Sequence, residues 1–218
     1  SLNHDFLLSI SCKNPYTSNE TNRGEIMFIR TENFSQYVKS YPIVTTLLAL
    51  NILVYLFGFI PGYGNMMYLL GMGSNYHLAA GEWWRLFTPM FLHAGFAHLL
   101  MNMFSLFIFG PELERFAGKF RFLNIYLISG ILGNVATFLF EPINYLSVGA
   151  SGAIFGIFGA FGALVYYTHK VFPALKQIIL PMNVFGVIMT FLGANLNASA
   201  NIGFAVTGII LELYFFHP

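Results

Sequence analysis

Ser151 stands in a setting that suits a nucleophile, because the glycines Gly149 and Gly152 lie close on either side of it. Small neighbours allow another backbone or a substrate to approach the hydroxyl closely. An apolar run follows the serine, and a helix starting there would point free backbone N–H groups at a developing negative charge. A stripe of small residues is nevertheless more often a helix-packing surface, so this motif alone leaves both interpretations open.

Two further polar residues, His98 and Asn102, are four positions apart and therefore share one face of a predicted helix. Both side chains can donate a hydrogen bond to a carbonyl oxygen that is acquiring negative charge. Polar contact between helices is the simpler alternative. A metal site is not expected, because the spacing of five between His93 and His98 suits no common pair of helical ligands.

The composition indicates that these residues are held in a lipid-embedded scaffold. Hydrophobic residues make up 56% of the 218 positions and charged residues only 9%, against about 45–50% and about 25% in soluble domains. This is too little charge to solvate a globular surface and too much hydrophobicity for a disordered chain. The net charge of +1 gives nucleic acid no electrostatic attraction. We therefore expect an integral membrane protein in contact with the lipid bilayer.

Apolar runs of about twenty residues can cross the hydrocarbon core as helices. Six such runs are predicted, and their continuity favours helices over the short alternating strands of a barrel. They cover about 41–60, 95–111, 122–140, 149–167, 178–194 and 198–216. The predicted fold class is all-α: a polytopic membrane protein with a six-helix bundle in one domain, residues 27–218. The long connection 62–92 is rich in aromatic residues and is expected to lie in the membrane interface.

The basic residues predict the orientation, because cytoplasmic flanks of spanning helices retain Lys and Arg. Nine of the ten fall on one side, and only Arg85 falls on the other. The nine are Lys13, Arg23, Arg30, Lys39, Arg115, Lys119, Arg121, Lys170 and Lys176. A cytoplasmic N-terminus follows, with Ser151 and His98 in the outward third of the bilayer. The polar segment 1–26 is expected to be a poorly ordered tail or an added remnant, with Cys12 incidental.

These features together resemble the rhomboid intramembrane serine proteases, and the likeness runs from about Phe28 to the end of the chain. It rests on the Gly-x-Ser-Gly segment around Ser151 and on the His-x4-His-x3-Asn pattern that ends at Asn102. Further matching residues are Trp84, Arg85, Glu114, Arg115, Gly118, Arg121 and Phe122. The resemblance implies the family's minimal bacterial arrangement of six helices, located in the cell membrane.

The resemblance also implies roles for single residues. Ser151 would be the nucleophile, and its backbone N–H would form the oxyanion site with the side chains of His98 and Asn102. The supporting residues would be His93, Gly149, Gly152, Phe155, Trp84 and Arg85. Phe155 would stack on the catalytic imidazole. The implied reaction is cleavage of transmembrane protein substrates near the outer membrane face by a Ser–His dyad, without metal or cofactor.

One position departs from the family pattern. Rhomboid proteases take their general base from a Gly/Ala-His-x-x-Gly stretch in the sixth helix, but here Phe204 stands where the histidine is expected. The following glycine, Gly208, is also one position too far along. Either the histidine is substituted or a short piece that carries it is missing. The alternative function is therefore that of a catalytically inactive relative that binds transmembrane clients. A small transporter is less favoured, because neither internal repeats nor broken helices are present in the sequence pattern.

Overall fold

The computed structural model describes residues 32–168, which include four of the six predicted spans. The segment 1–26 and the predicted spans 178–194 and 198–216 lie outside the described residues. In chain order the elements are α1 (Phe34–Ser40), α2 (Pro42–Phe57), α3 (Tyr63–Gly71), β1 (Gly73–Ser74), α4 (Asn75–Ala79), the 3₁₀ turns Trp83–Leu86 and Thr88–Phe91, α5 (Phe96–Ala117), α6 (Lys119–Phe140), β2 (Leu146–Ser147) and α7 (Ser151–Thr168). Helices dominate, and the all-α fold class is confirmed.

The membrane-spanning capacity of the described part lies in its long helices. α5 and α6 each have 22 residues and are apolar enough to cross a membrane. α1 and α2 pass the same test only as a pair, and they are bent by 108° relative to one another. The described residues thus hold two spans, or three if the bent pair counts as one, as in a polytopic helical membrane protein.

α5 continues through Pro111 and ends at Ala117, so it is longer than the predicted run 95–111. A proline inside a helix leaves the carbonyl four residues earlier without its helical donor. That carbonyl belongs to Phe107, and the Tyr37 hydroxyl of α1 donates a long hydrogen bond of 3.5 Å to it. The Tyr37 ring also stacks on the Phe107 ring, with centroids 5.2 Å apart. α1 therefore supplies a substitute donor at the interruption.

The start of α2 is tied to the end of α5 by one buried carboxylate. Pro42 takes the first position of α2, where its missing N–H costs nothing. The next two amides, those of Ile43 and Val44, donate to the two oxygens of Glu114 at 3.1 and 2.9 Å. Glu114 is only 3% exposed. A carboxylate at this position satisfies free amides and opposes the helix dipole, so it stabilises the packing of α2 on α5.

The last carbonyls of α3 are capped by side chains from the 3₁₀ turns. A helix leaves these carbonyls without internal donors, and a membrane interface supplies few others. The pairs are Arg85 to Leu69 (3.0 Å) and Met72 (2.7 Å), Trp84 to Leu70 (3.0 Å), and Thr88 to Gly71 (2.7 Å). Arg85 is buried and also pairs with Glu82 at 2.7 Å. The connection 62–92 is therefore a folded unit.

α6 and α7 pack closely through small residues. A Cβ atom on Gly156 of α7 would lie 2.2 Å from the Ser129 hydroxyl of α6. α6 also packs closely on the interface loop, since a Cβ atom on Gly130 would lie 2.5 Å from the side chain of Met90. Gly152 is buried as well. The small residues Gly152 and Gly156 therefore allow close helix packing in the same helix that begins with Ser151.

Candidate active site

Ser151 is the first residue of α7 and is partly exposed. The first hydrogen bond of this helix joins the Ile154 amide to the Ala150 carbonyl at 3.1 Å. The amides of Ser151, Gly152 and Ala153 therefore precede the first helical bond and form the free N-terminus of the helix. Such amides attract a negatively charged oxygen. The serine hydroxyl and this positive end thus lie at the same place.

Gly149 brings the loop before Ser151 into direct contact with α5. Its φ angle is +126°, a conformation that side chains rarely adopt. A Cβ atom on Gly149 would lie 2.6 Å from Cε1 and 2.7 Å from Nε2 of His98, and 3.7 Å from Nδ2 of Asn102. Only glycine fits this position. The His98 and Asn102 side chains consequently face the backbone two residues before the serine.

One nitrogen on each of these two side chains is buried and has no hydrogen-bond partner within the described part of the chain. The Asn102 amide nitrogen is a donor, and Nε2 of His98 is a donor in the tautomer that carries its proton there. Nε2 of His98 and Nδ2 of Asn102 form no hydrogen bond with any residue among 32–168. A buried donor without a partner costs about 1–3 kcal/mol, so folds rarely leave two side by side. An oxyanion is stabilised by hydrogen-bond donors that are held in a fixed position and have no other acceptor.

The interface loop fixes the position of the segment before Ser151. The Gly149 amide donates to the Pro89 carbonyl at 2.8 Å. The two short strands pair antiparallel, with Gly73 opposite Ser147. A Cβ atom on Gly73 would lie 2.2 Å from the Ser147 hydroxyl oxygen, so the contact depends on the absence of a side chain there. Trp84 and Arg85 belong to this loop, where both cap α3.

His93 packs against the proposed oxyanion donor. It is 1% exposed, and its ring meets the ring of His98 edge-on, with centroids 5.2 Å apart and planes at 67°. Burial, and secondarily the proximity of the His98 imidazole, lower the pKa of His93 to about 4. His93 is therefore uncharged at neutral pH. Sequence reasoning placed His93 in the supporting set, and it lies beside His98.

Asn75 is a structural residue of the site that sequence reasoning missed. It is 2% exposed, and its amide nitrogen donates to the carbonyls of Thr137 (3.3 Å), Glu141 (3.1 Å) and Pro142 (2.9 Å). It thereby closes the end of α6 and holds the loop that leads to Ser151. No local spacing signals this role, because all three acceptors lie more than 60 residues away.

The remaining predicted residues are only partly covered by the structure. Phe155 is partly buried, with its ring centroid 5.8 Å from that of Phe158. Its expected neighbour in the sixth span, and Phe204 itself, lie outside the described residues. Arg115, at the end of α5, pairs with Glu112. Among residues 32–168, no group of three or more His, Cys, Asp or Glu could hold a metal ion.

Comparison with known proteins gives concordant matches. A family model described as the Rhomboid domain matches residues 80–218. YdcA of Bacillus subtilis (strain 168) is 44% identical over 188 residues, which are 85% of this chain and 94% of that protein. The rhomboid protease GluP of the same organism is 41% identical over 143 residues, 63% of this chain and 27% of GluP. RHOMBOID-like protein 9, chloroplastic, of Arabidopsis thaliana is 31% identical over 220 residues, 94% of this chain and 50% of that protein.

Proposed function

The chain belongs to the rhomboid family, and on that premise we propose that it carries the active site of an intramembrane serine endopeptidase. Ser151 is the proposed nucleophile, with His98 and Asn102 as oxyanion donors. Its substrates are transmembrane proteins, cut near the outer membrane face. The observation that carries the proposal is a pair of buried side-chain nitrogens against Gly149 that have no hydrogen-bond partner among residues 32–168, beside the free N-terminus of α7.

The proposed chemistry is acyl transfer followed by hydrolysis. The Ser151 oxygen attacks the scissile carbonyl carbon, while a base accepts the hydroxyl proton. The carbonyl oxygen becomes negative and accepts hydrogen bonds from the Ser151 amide, His98 and Asn102. The C–N bond then breaks, and the departing amine takes the proton from the base. Water completes the cycle by hydrolysing the acyl-enzyme. The partial exposure of Ser151 supports a route for that water.

The location and orientation are part of the proposal. We infer a bacterial cell membrane with the N-terminus in the cytoplasm, so that Ser151 lies toward the outer face. The support is the distribution of basic residues along the sequence, nine of ten on one side. Arg85, the single exception, is 2% exposed and caps α3. Its position on the other side is therefore compatible with the enrichment of basic residues on the cytoplasmic side.

A second candidate is favoured by one residue, Phe204. An apolar ring cannot accept the serine proton, and a general base contributes about 10²–10⁴-fold to the rate. On this second proposal the chain binds transmembrane clients at the same site without cutting them. The two candidates share the fold and the oxyanion donors and differ in turnover alone.

The test is a cleavage assay in reconstituted vesicles with a transmembrane substrate. We compare the unaltered chain with Phe204→His, and each with its Ser151→Ala counterpart. We expect Ser151-dependent cleavage by Phe204→His, which would support the protease site. We expect negligible cleavage by the unaltered chain, which would mean that the site lacks only its base. Ser151-dependent turnover of the unaltered chain would instead reveal a different base and exclude the client-binding candidate. If no form cleaves but all capture the substrate, the client-binding candidate is supported.

A further inference from the structure

Tyr68 links the interface loop to the segment that precedes α5. It lies in α3, half-buried, and its hydroxyl donates a hydrogen bond to the backbone carbonyl of His93. Burial raises the pKa of Tyr68, so the hydroxyl keeps its proton and remains a donor. His93 stands before the first turn of α5, where the helix itself does not fix the backbone.

The ring of His93 passes this constraint to His98. The two imidazoles meet edge-on at 5.2 Å in a region where His93 is 1% exposed. Close packing of two rings restricts the rotation of both. His98 also faces Gly149, with Nε2 2.7 Å from the position of a Cβ atom. The imidazole therefore packs against both His93 and the loop before Ser151.

We infer that Tyr68 is a positioning residue for His98, which it orients by anchoring His93. This inference rests on the proposed role of His98 as an oxyanion donor. Its consequence is that α3, a helix of the interface loop with no charged residue, contributes to the geometry of the site. A donor misplaced by about 1 Å can cost on the order of 10²-fold in rate, so the constraint matters for catalysis.

The primary experiment reads the histidine rings directly and needs no turnover. The full chain, labelled with ¹⁵N-histidine, is compared with Tyr68→Phe and Tyr63→Phe in lipid nanodiscs by NMR. Tyr63 is the matched control, since it belongs to the same helix and is 66% exposed. We expect Tyr68→Phe to shift the ring nitrogen signals of both His93 and His98. Tyr63→Phe is expected to leave both unchanged. Unchanged His98 signals in Tyr68→Phe would overturn the inference.

A second background tests the path through His93. In His93→Ala the ring that joins Tyr68 to His98 is absent, so Tyr68→Phe should no longer move the His98 signal. If the His98 signal shifts caused by Tyr68→Phe and His93→Ala simply add in the double variant, Tyr68 acts on His98 by another route. A shift of the same size in both backgrounds would thus contradict the inference. A second sample labelled with ¹⁵N-tryptophan reports, through the indole signals of Trp83 and Trp84, whether His93→Ala is folded.

The kinetic arm separates this inference from the proposed function. In whichever form cleaves with dependence on Ser151, Tyr68→Phe should lower kcat about tenfold and leave KM unchanged. A change in KM alone would contradict a role in orienting an oxyanion donor. If no form cleaves but the His98 signal responds to Tyr68→Phe, the positioning stands and the proposed protease activity fails.

Discussion

At the residue scale, Nε2 of His98 and Nδ2 of Asn102 are the buried nitrogens that bear most directly on the proposed function, because both lie against the Gly149 backbone. Both atoms are buried and lack partners among the described residues. Apolar side chains at these positions would avoid the cost of about 1–3 kcal/mol for each donor. A fold retains such donors where a ligand or a transition state will use them. On the proposed function, these two nitrogens are the groups that would donate to the oxyanion.

Gly149→Ala should distort the site more than a strained glycine elsewhere. Gly149 and Gly81 both have positive φ angles, +126° and +96°, so alanine strains the backbone at either position. Only at Gly149 would the new Cβ collide with His98, since nothing lies within 4 Å of a Cβ on Gly81. We expect the histidine NMR signal of His98 to move in Gly149→Ala alone. Equal changes of the His98 signal in Gly149→Ala and Gly81→Ala would show that backbone strain, and not the contact with the new Cβ atom, changes the position of His98.

Acidification should destabilise the protein through His93. The folded-state pKa of His93 is about 4, against about 6.5 for a solvated imidazole. Below pH 6.5 the unfolded chain binds the proton and the folded chain does not, so stability is greatest above pH 6.5. The free energy of unfolding should then fall by up to about 1.4 kcal/mol per pH unit down to pH 4.

Substitution of His93 provides the measurement. The free energy of unfolding in micelles, followed against pH, should show a shallower slope in His93→Phe. His77→Gln, which changes a half-exposed imidazole of α4, should keep the original slope. An unchanged slope in His93→Phe would mean that another group is responsible.

Some residues of the candidate site could be proposed from the sequence and others could not, for a physical reason. His98 and Asn102 could be proposed because a spacing of four places two side chains on one helix face. Tyr68 and Asn75 were not, because their contacts are made 25 and more than 60 residues away. A lone Tyr or Asn in a loop has no periodicity that could reveal such a partner.

At the element scale, helix ends in the described part are closed by side chains from distant segments. Glu114 satisfies the start of α2, and Asn75 the end of α6. Trp84 and Arg85 close the end of α3. Within or near lipid, water cannot perform this task at every end. Sequence patterns predicted where these helices lie, but they did not predict the caps. The extension of α5 beyond Pro111 was missed for the same reason, since its substitute donor, Tyr37, comes from another helix.

Trp84→Phe should loosen the last turn of α3. The substitution keeps an aromatic ring but removes the N–H that donates to Leu70. Loss of one such bond typically costs about 0.5–1.5 kcal/mol. Trp83→Phe is the control, because the neighbouring indole is 63% exposed and of the same size. Hydrogen exchange of the α3 amides should accelerate in Trp84→Phe only. Equal acceleration in both would assign the effect to ring size.

At the scale of the whole molecule, composition and six apolar runs were enough to predict a polytopic helical membrane protein. They were not enough to predict the 108° bend between α1 and α2. The bend follows from Pro42, because a proline restricts the preceding residue, Tyr41, to non-helical conformations. α1 therefore ends at Ser40, the residue before Tyr41. Tyr37 then holds α1 against α5.

The orientation can be tested with two single cysteines. In a Cys12→Ser background, Asn144→Cys lies in the exposed loop before β2, and Lys119→Cys lies at the exposed start of α6. These positions flank the opposite ends of one spanning helix. An impermeant maleimide added to intact cells should label position 144 and reach position 119 only after permeabilisation. The reverse pattern would overturn the cytoplasmic N-terminus and place Ser151 toward the inside.

The carboxylate of Glu114 also constrains the order of biosynthesis. The amides of Ile43 and Val44 leave the ribosome 71 and 70 residues before their acceptor. At about 5–20 residues per second, that delay is roughly 4–14 s. During this time the amides of Ile43 and Val44 lack their final acceptor, the Glu114 carboxylate. Water or the insertion machinery must therefore accept their hydrogen bonds. The start of α2 therefore gains its carboxylate cap only after the end of α5 has been synthesised.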